Sequence, residues 1–296
     1  MKSRSLEDIA VFAAPVVFVV LWSSGFNGTK LGLPYAEPMT FLSLRMIAVV
    51  AVLALLMAIT RPPWPQRAGV LHNVVAGLLM QGLYLGGVFV AIYHGLPAGL
   101  AALVVALQPV LTSTLANRWL GERVALHQWI GLLLGLVGVF LVVQGKTAGE
   151  TSALGWAAIF VALIGITIGT LYQKRFAGGV DWRSGLLIQY AASGLLFGAG
   201  AYLFETRAVQ WTPEFLFALG WLVFVLSLGA IWLLYFMIRR SAATRVVSLF
   251  YLTPPVTALM AWALFDERLG PLALLGMAIC VAGVFLVNWR VGGSAA

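Results

Sequence analysis

Residues 97–142 read PAGLAALVVALQPVLTSTLANRWLGERVALHQWIGLLLGLVGVFLV, and 145 positions later residues 242–287 read AATRVVSLFYLTPPVTALMAWALFDERLGPLALLGMAICVAGVFLV. Pro109 falls on Pro254, Thr112 on Thr257, Glu122-Arg123 on Glu267-Arg268, and Gly131 on Gly276. The run from Gly138 to Val142 falls on the run from Gly283 to Val287. Five apolar spans separate a segment from its copy. Each crossing of a membrane reverses direction, so an odd period turns the second half upside-down. Inverted halves are a structural signature of secondary transporters.

Composition places the chain in a bilayer. It is 61% hydrophobic and 9% charged, with mean hydropathy +0.98, far too apolar for a soluble domain of this size. A spanning helix needs about 20 mostly apolar residues. That length predicts ten helices at roughly 9–27, 38–59, 72–93, 98–119, 126–144, 153–173, 184–204, 214–238, 242–265 and 271–289. The fold class is therefore all-α integral membrane, with ten transmembrane helices as two inverted five-helix repeats, residues 1–145 and 146–296. Glycines spaced as in Gly131, Gly135 and Gly138 suit close helix packing.

Basic residues set the expected orientation. With the N-terminus cytoplasmic, thirteen of the eighteen Lys and Arg residues lie inside and four outside (Lys30, Lys146, Arg207 and Arg268), leaving Arg45 within a span. This obeys the positive-inside rule. It also accounts for the net charge of +8 through lipid headgroups, without a nucleic-acid partner. Both termini are expected in the cytoplasm, the protein being multi-pass in a bacterial-type inner membrane. Glu7 and Asp8 disturb the basic leader that a cleaved signal peptide needs. Cys280 is the one cysteine, so no intramolecular disulfide is expected; without a Cys/His cluster, neither is a metal site or cofactor.

The run Leu21-Trp22-Ser-Ser-Gly25-Phe26, then Lys30, Pro38 and Leu44-Arg45, resembles the opening of the drug/metabolite transporter superfamily, EamA type. The Pro109, Gly121-Glu122-Arg123, Trp129, Gly131 and Gly138 series resembles the end of its first repeat, and the Pro254 to Gly283 series the end of its second. The resemblance covers nearly the whole chain. It implies a central cavity, alternating access, and export of amino acids, other metabolites or drugs.

A solute site is expected where the repeats meet at mid-membrane. Pro109 and Pro254 lack an N–H, which releases the carbonyls of Val105 and Phe250 and lets spans four and nine kink. Such carbonyls are acceptors for a substrate ammonium; alternatively, the prolines only bend helices for packing. The residues expected to line the cavity are Trp22, Gln81, Tyr84, Gln108, Tyr172, Trp232, Tyr235, Tyr251 and Thr253. Aromatic faces attract ammonium groups, and amides are costly in lipid unless they serve. Arg45, His94, Pro109 and Pro254 are the hinge or gate candidates. Arg45 is either a carboxylate-binding or gating group, or a structural one bonding carbonyls or snorkelling outward; a charge there costs about 2.5–3.5 kcal/mol and calls for a partner or water.

All ten Asp and Glu residues fall at helix ends or in loops, whereas proton-coupled carriers usually hold an acid or histidine inside the membrane. The expectation is export of neutral or aromatic amino acids without obligatory proton coupling, similar within the superfamily to the YddG-type exporters. The alternatives are another metabolite or a lipophilic cationic drug and, remotely, an integral-membrane enzyme, for which no catalytic constellation is seen. The expected partners are a small-molecule substrate and the lipid bilayer, with the chain a monomer or a homodimer through spans five and ten.

Overall fold

The computed structural model describes residues 6–96, 101, 104–121, 124–143, 152–265 and 270–289. The repeated Glu-Arg pairs at 122–123 and 267–268, with Lys146 and Glu150, lie outside the described residues. Ten helical rods follow one another among the described residues. They are α1 (Leu6–Gly32), α2 (Pro38–Thr60), α3 (Arg67–Tyr93), α4 (Gln108–Leu120) and α5 (Leu126–Val143), then α6 (Ala153–Ala177), α7 (Trp182–Phe204), α8 (Pro213–Arg240), α9 (243–265) and α10 (Pro271–Asn288). Seven of them are long and apolar enough to cross a membrane, and Leu126–Val142 is a shorter apolar one. The rods alternate in direction, so the bundle has an N face, where α1 starts and α10 ends, and an opposite face.

Contacts obey the repeat. α5 packs along α10, α2 along α7, and α4 on α9, each pairing one element with its own copy; α3 on α6 mirrors α8 on α1. The α5–α10 seam is made by glycine. Gly131 lies against the Gly283 carbonyl and Gly138 against the Gly276 carbonyl, so close that an added Cβ would sit 2.6 or 2.7 Å from those oxygens. In lipid, where apolar surface gains nothing by leaving the solvent, such close backbone contact is what holds helices together.

The loop acids act as caps. The Glu205 carboxylate accepts the Met39 and Thr40 N–H groups at 2.7 Å each, closing the N-terminus of α2, while Glu37 accepts from the Thr206 N–H at 2.7 Å. An isolated antiparallel bridge between Ala36 and Val209 ties the same two loops together at the opposite face. On the N face, Asp181 caps α7: its carboxylate accepts the Arg183 N–H at 2.9 Å and pairs with the Arg183 guanidinium, also at 2.9 Å. Those bonds hold the Asp181 carboxyl below the usual carboxylate range. Asp181→Ala is expected to cost about 1 kcal/mol, as lost N-caps do, read as a Tm a few degrees lower at neutral pH. Because the folded pKa is depressed, the wild type itself loses this increment as pH falls through that pKa, and the two proteins converge in acid.

Three rods depart from the regular helices expected of them. α3 is π-helical over Leu78–Leu85 and α8 over Leu222–Ala230, at repeat-related positions near mid-membrane, and α6 ends in a π turn, Gln173–Ala177. The break in α9 is a 3-10 turn, Leu249–Leu252, after which the α-helix restarts at Thr253; α4 restarts at the equivalent Gln108. This corrects one expectation. The Phe250 carbonyl that Pro254 leaves without its α-helical donor is taken by the Thr253 N–H, so tightening to 3-10 geometry repairs the bond the proline removes.

Candidate transport cavity

A narrow cavity lies between α1, α2, α3 and α8 in the half of the bundle away from the N face. Its walls include Trp22, Gly25 and Thr29 of α1, Arg45 of α2, Tyr84 and Val88 of α3, and Leu222 and Leu226 of α8. It offers about 40 Å³, little more than one water's share of liquid volume, about 30 Å³. An amino acid enters only if the walls part. A second, smaller space of about 10 Å³ lies beyond Trp22 and Tyr84, against Val105, Phe250, Thr253 and Pro254.

Trp22 and Tyr84 therefore form the partition between the two spaces. Their rings lie nearly parallel, 9° apart with centroids at 6.2 Å, and Phe250 meets Trp22 edge-on at 5.1 Å. Both are buried. The π segment of α3 carries Tyr84 here, and the absent side chain of Gly25 leaves room for Leu226 opposite. Arg45 supplies the cavity's charge. Its Nε donates to the Ser227 hydroxyl at 2.8 Å, and the Tyr190 hydroxyl donates to the Ser227 carbonyl at 2.8 Å. Arg45 and Tyr190 are themselves 145 positions apart, so the two repeats meet at one serine in the π segment of α8.

The other expected residues distribute unevenly. Thr253 and Pro254 line the smaller space. Gln81 is fully buried beside the Tyr235 hydroxyl, with neither amide atom in a good hydrogen bond. Gln108 donates to Thr170 at 3.3 Å, and its carbonyl oxygen has no partner; Pro109 is buried in the first turn of α4. Tyr251 packs towards α5, its ring over Gly135. Tyr172 bonds the His72 ring at 2.8 Å on the N face. His94 ends α3 at the opposite face, edge-on to Tyr93. Trp232 lies outside the central cavity, in a peripheral groove with Trp182, Phe236 and Arg239. Helical spacing puts Trp232 and Tyr235 on one side of α8, and both line this groove, but Tyr235 also reaches inward, its hydroxyl donating to Gln189.

Sequence reasoning missed a buried polar knot on the N-face side of the cavity. Gln189 of α7 donates to Asn73 of α3 at 2.8 Å and to Gln173 of α6 at 3.0 Å, and accepts from Tyr235 of α8 at 2.5 Å. Ser193, one turn on, donates to the Gly77 carbonyl at 3.0 Å. Every side chain in the knot is buried. The signal was present, since Gln189 is an amide inside an apolar span just as Gln81 and Gln108 are. α3 reaches the knot through Gly77, where a Cβ would lie 2.5 Å from the Gln189 Cα.

Inverted five-helix halves around a closed aromatic cavity define a membrane transporter of the drug/metabolite type. The EamA-like transporter family model matches twice, over residues 9–144 and 153–289, and the chain belongs to that family. It is 26% identical over 97% of its length, and 93% of the relative's, to the "Uncharacterized inner membrane transporter YedA" of Escherichia coli (strain K12). It is also 26% identical, over 93% of its length and 95% of the relative's, to the "Probable amino-acid metabolite efflux pump" of the same organism. A crystal structure of a protein 21% identical superposes with a TM-score of 0.76 over 93% of this chain and 95% of that one, showing the shared fold. The protein is thus a multi-pass membrane transporter of the family.

Proposed function

We propose that the protein exports neutral or aromatic amino acids by alternating access, without obligatory proton coupling, its termini in the cytoplasm. The observation that carries this reading is the cavity wall: three aromatic side chains (Trp22, Tyr84 and Phe89), one arginine, and no carboxylate among the described residues lining it. An aromatic partition offers stacking to an apolar side chain and a π face to an ammonium. The buried arginine weighs against a lipophilic cationic drug, which it would repel. Orientation rests on the basic residues, the N face carrying Lys174, Arg175, Arg183, Arg239 and Arg240. On that orientation the knot at Gln189 closes the cytoplasmic side and the cavity belongs to the outer half. A carrier reading is favoured over an enzyme because relatives with this architecture are named as transporters.

Counterflow tests the proposal. Proteoliposomes loaded with unlabelled amino acids and given labelled phenylalanine outside, with no pH or ion gradient, are expected to accumulate label transiently. The load that sustains the most accumulation ranks the substrates. No accumulation in vesicles containing folded protein overturns the substrate class. Uphill accumulation driven by a pH gradient, with no solute gradient, overturns the uncoupled mechanism.

A further inference from the structure

Arg45 is 4% exposed and lies seven residues into a membrane helix, yet no acidic side chain among the described residues pairs with it. Its one hydrogen bond uses Nε, to the Ser227 hydroxyl. The two terminal nitrogens have no acceptor among the described residues, and they are absent from the fully enclosed unbonded atoms. They border the cavity that Arg45 lines with Trp22 and Tyr84. A guanidinium presents its donors as a planar fork that fits both oxygens of a carboxylate. With Nε fixed to the protein, the terminal edge is left to the cavity that Arg45 lines. A structural arginine in an apolar span satisfies that edge with carbonyls or a carboxylate; this one leaves it to the cavity.

We infer that Arg45 is the carboxylate anchor of the solute site, so that the acid group of the cargo is an obligatory recognition element. The inference rests on the amino-acid reading for the cargo as a whole, but it concerns the acid group alone. An anion there neutralises the arginine, and its apolar or aromatic remainder lies against the Trp22–Tyr84 wall. Ser227 positions the fork: its hydroxyl takes Nε, while its carbonyl is held by Tyr190. Solutes of the same shape without the carboxylate leave a buried cation without its counterion, and that penalty is what excludes them.

The test uses the full chain in lipid nanodiscs and equilibrium dialysis with labelled 3-phenylpropionate and its uncharged isostere 3-phenylpropanamide. The amide corrects for partition into lipid. Wild type is expected to bind the acid at least about tenfold tighter than the amide, within the range for charge-assisted hydrogen bonds. Arg45→Gln is expected to abolish that preference by weakening the acid, with amide binding within about threefold of wild type. Arg45→Lys, which keeps a point charge but not the fork, falls between. Equal binding of acid and amide by wild type overturns the inference, and so does an acid preference that survives in Arg45→Gln. If Arg45→Gln does not fold, the wild-type ratio decides. Phenylalanine counterflow without any acid preference leaves the amino-acid proposal standing and removes the anchor. An Arg45-dependent acid preference without phenylalanine counterflow keeps the anchor and assigns a different carboxylate as cargo.

Discussion

Gly283→Val is expected to leave no folded protein to assay. A Cβ at this position would stand 2.6 Å from the Gly131 carbonyl oxygen, 2.7 Å from the Gly135 nitrogen and 3.0 Å from the Gly135 Cα. All three are backbone atoms of α5, so no rotamer change makes room; α5 and α10 must separate. Separation breaks the repeat-related contact as well, because Gly276 packs on the same seam so closely that an added Cβ would sit 2.6 Å from the Gly138 carbonyl oxygen. The seam also holds Gln128, which donates to the Val287 carbonyl at 3.2 Å. Core overpacking costs typically about 1–3 kcal/mol where neighbours can shift. Here they are rigid helical backbone, and the expected loss exceeds about 4 kcal/mol, which few membrane bundles survive. The measurement is size-exclusion chromatography of a fluorescent fusion: a monodisperse wild-type peak, and aggregate or no peak for Gly283→Val. Gly220→Ala is the control. Nothing lies within 4 Å of a Cβ at Gly220, and its helical backbone favours alanine by about 0.5–1 kcal/mol. A monodisperse peak for Gly283→Val at the wild-type Tm would show that α5 and α10 do not meet this way.

How much of this was legible in the sequence depends on the range of the interaction. The glycine surfaces of the seam were legible, because the close approach of two backbones needs glycine at fixed spacing and the 145-residue period repeats that spacing. Their partner was not: the same spacing suited a homodimer through spans five and ten, whereas Gly131 and Gly138 meet Gly283 and Gly276 within one chain. The positions of the rods were, because apolar length alone marks a span. The breaks before Gln108 and Thr253 were partly legible: proline locates them, but whether the chain answers with a free carbonyl or a 3-10 turn depends on which donor swings into reach, and at Phe250 it is Thr253. The π segments at 78–85 and 222–230 carry no proline. Nothing local announces them. The knot was illegible as a unit because Gln189 and Asn73 are 116 positions apart; one sequence shows two buried amides, not that they meet. Trp232 illustrates the converse. Its spacing from Tyr235 was read correctly, but periodicity says which residues share a face, not which way that face points when lipid and cavity are both apolar.

Gln189→Leu is expected to unlock the N-face side of the bundle. Gln189 is the residue at which α3, α6, α7 and α8 join: its amide nitrogen serves both Asn73 and Gln173, and its oxygen takes the Tyr235 hydroxyl. Leucine fills a similar volume and adds apolar contact, so packing is nearly conserved while all three bonds go. Hydrogen bonds between membrane helices average about 0.6 kcal/mol each, and three of them approach about 2 kcal/mol, a factor of roughly 30 in an equilibrium constant. On the alternating-access proposal these bonds exist in the state with a sealed N face and must break when that face opens, so their loss shifts the population towards the open state rather than unfolding the chain. Ala76, fully buried on α3 one turn from Asn73, reports the shift. With Cys280 replaced by Ala, a cysteine introduced as Ala76→Cys should react with a polar maleimide at least about tenfold faster in the Gln189→Leu background. Cysteine reaction at an enclosed site proceeds only through the open form, so the rate ratio reads the change in population directly. An unchanged rate in protein that elutes and melts like wild type would mean that the knot holds the helices together in both states. The seal would then have to lie in apolar packing between Trp22 and Phe250.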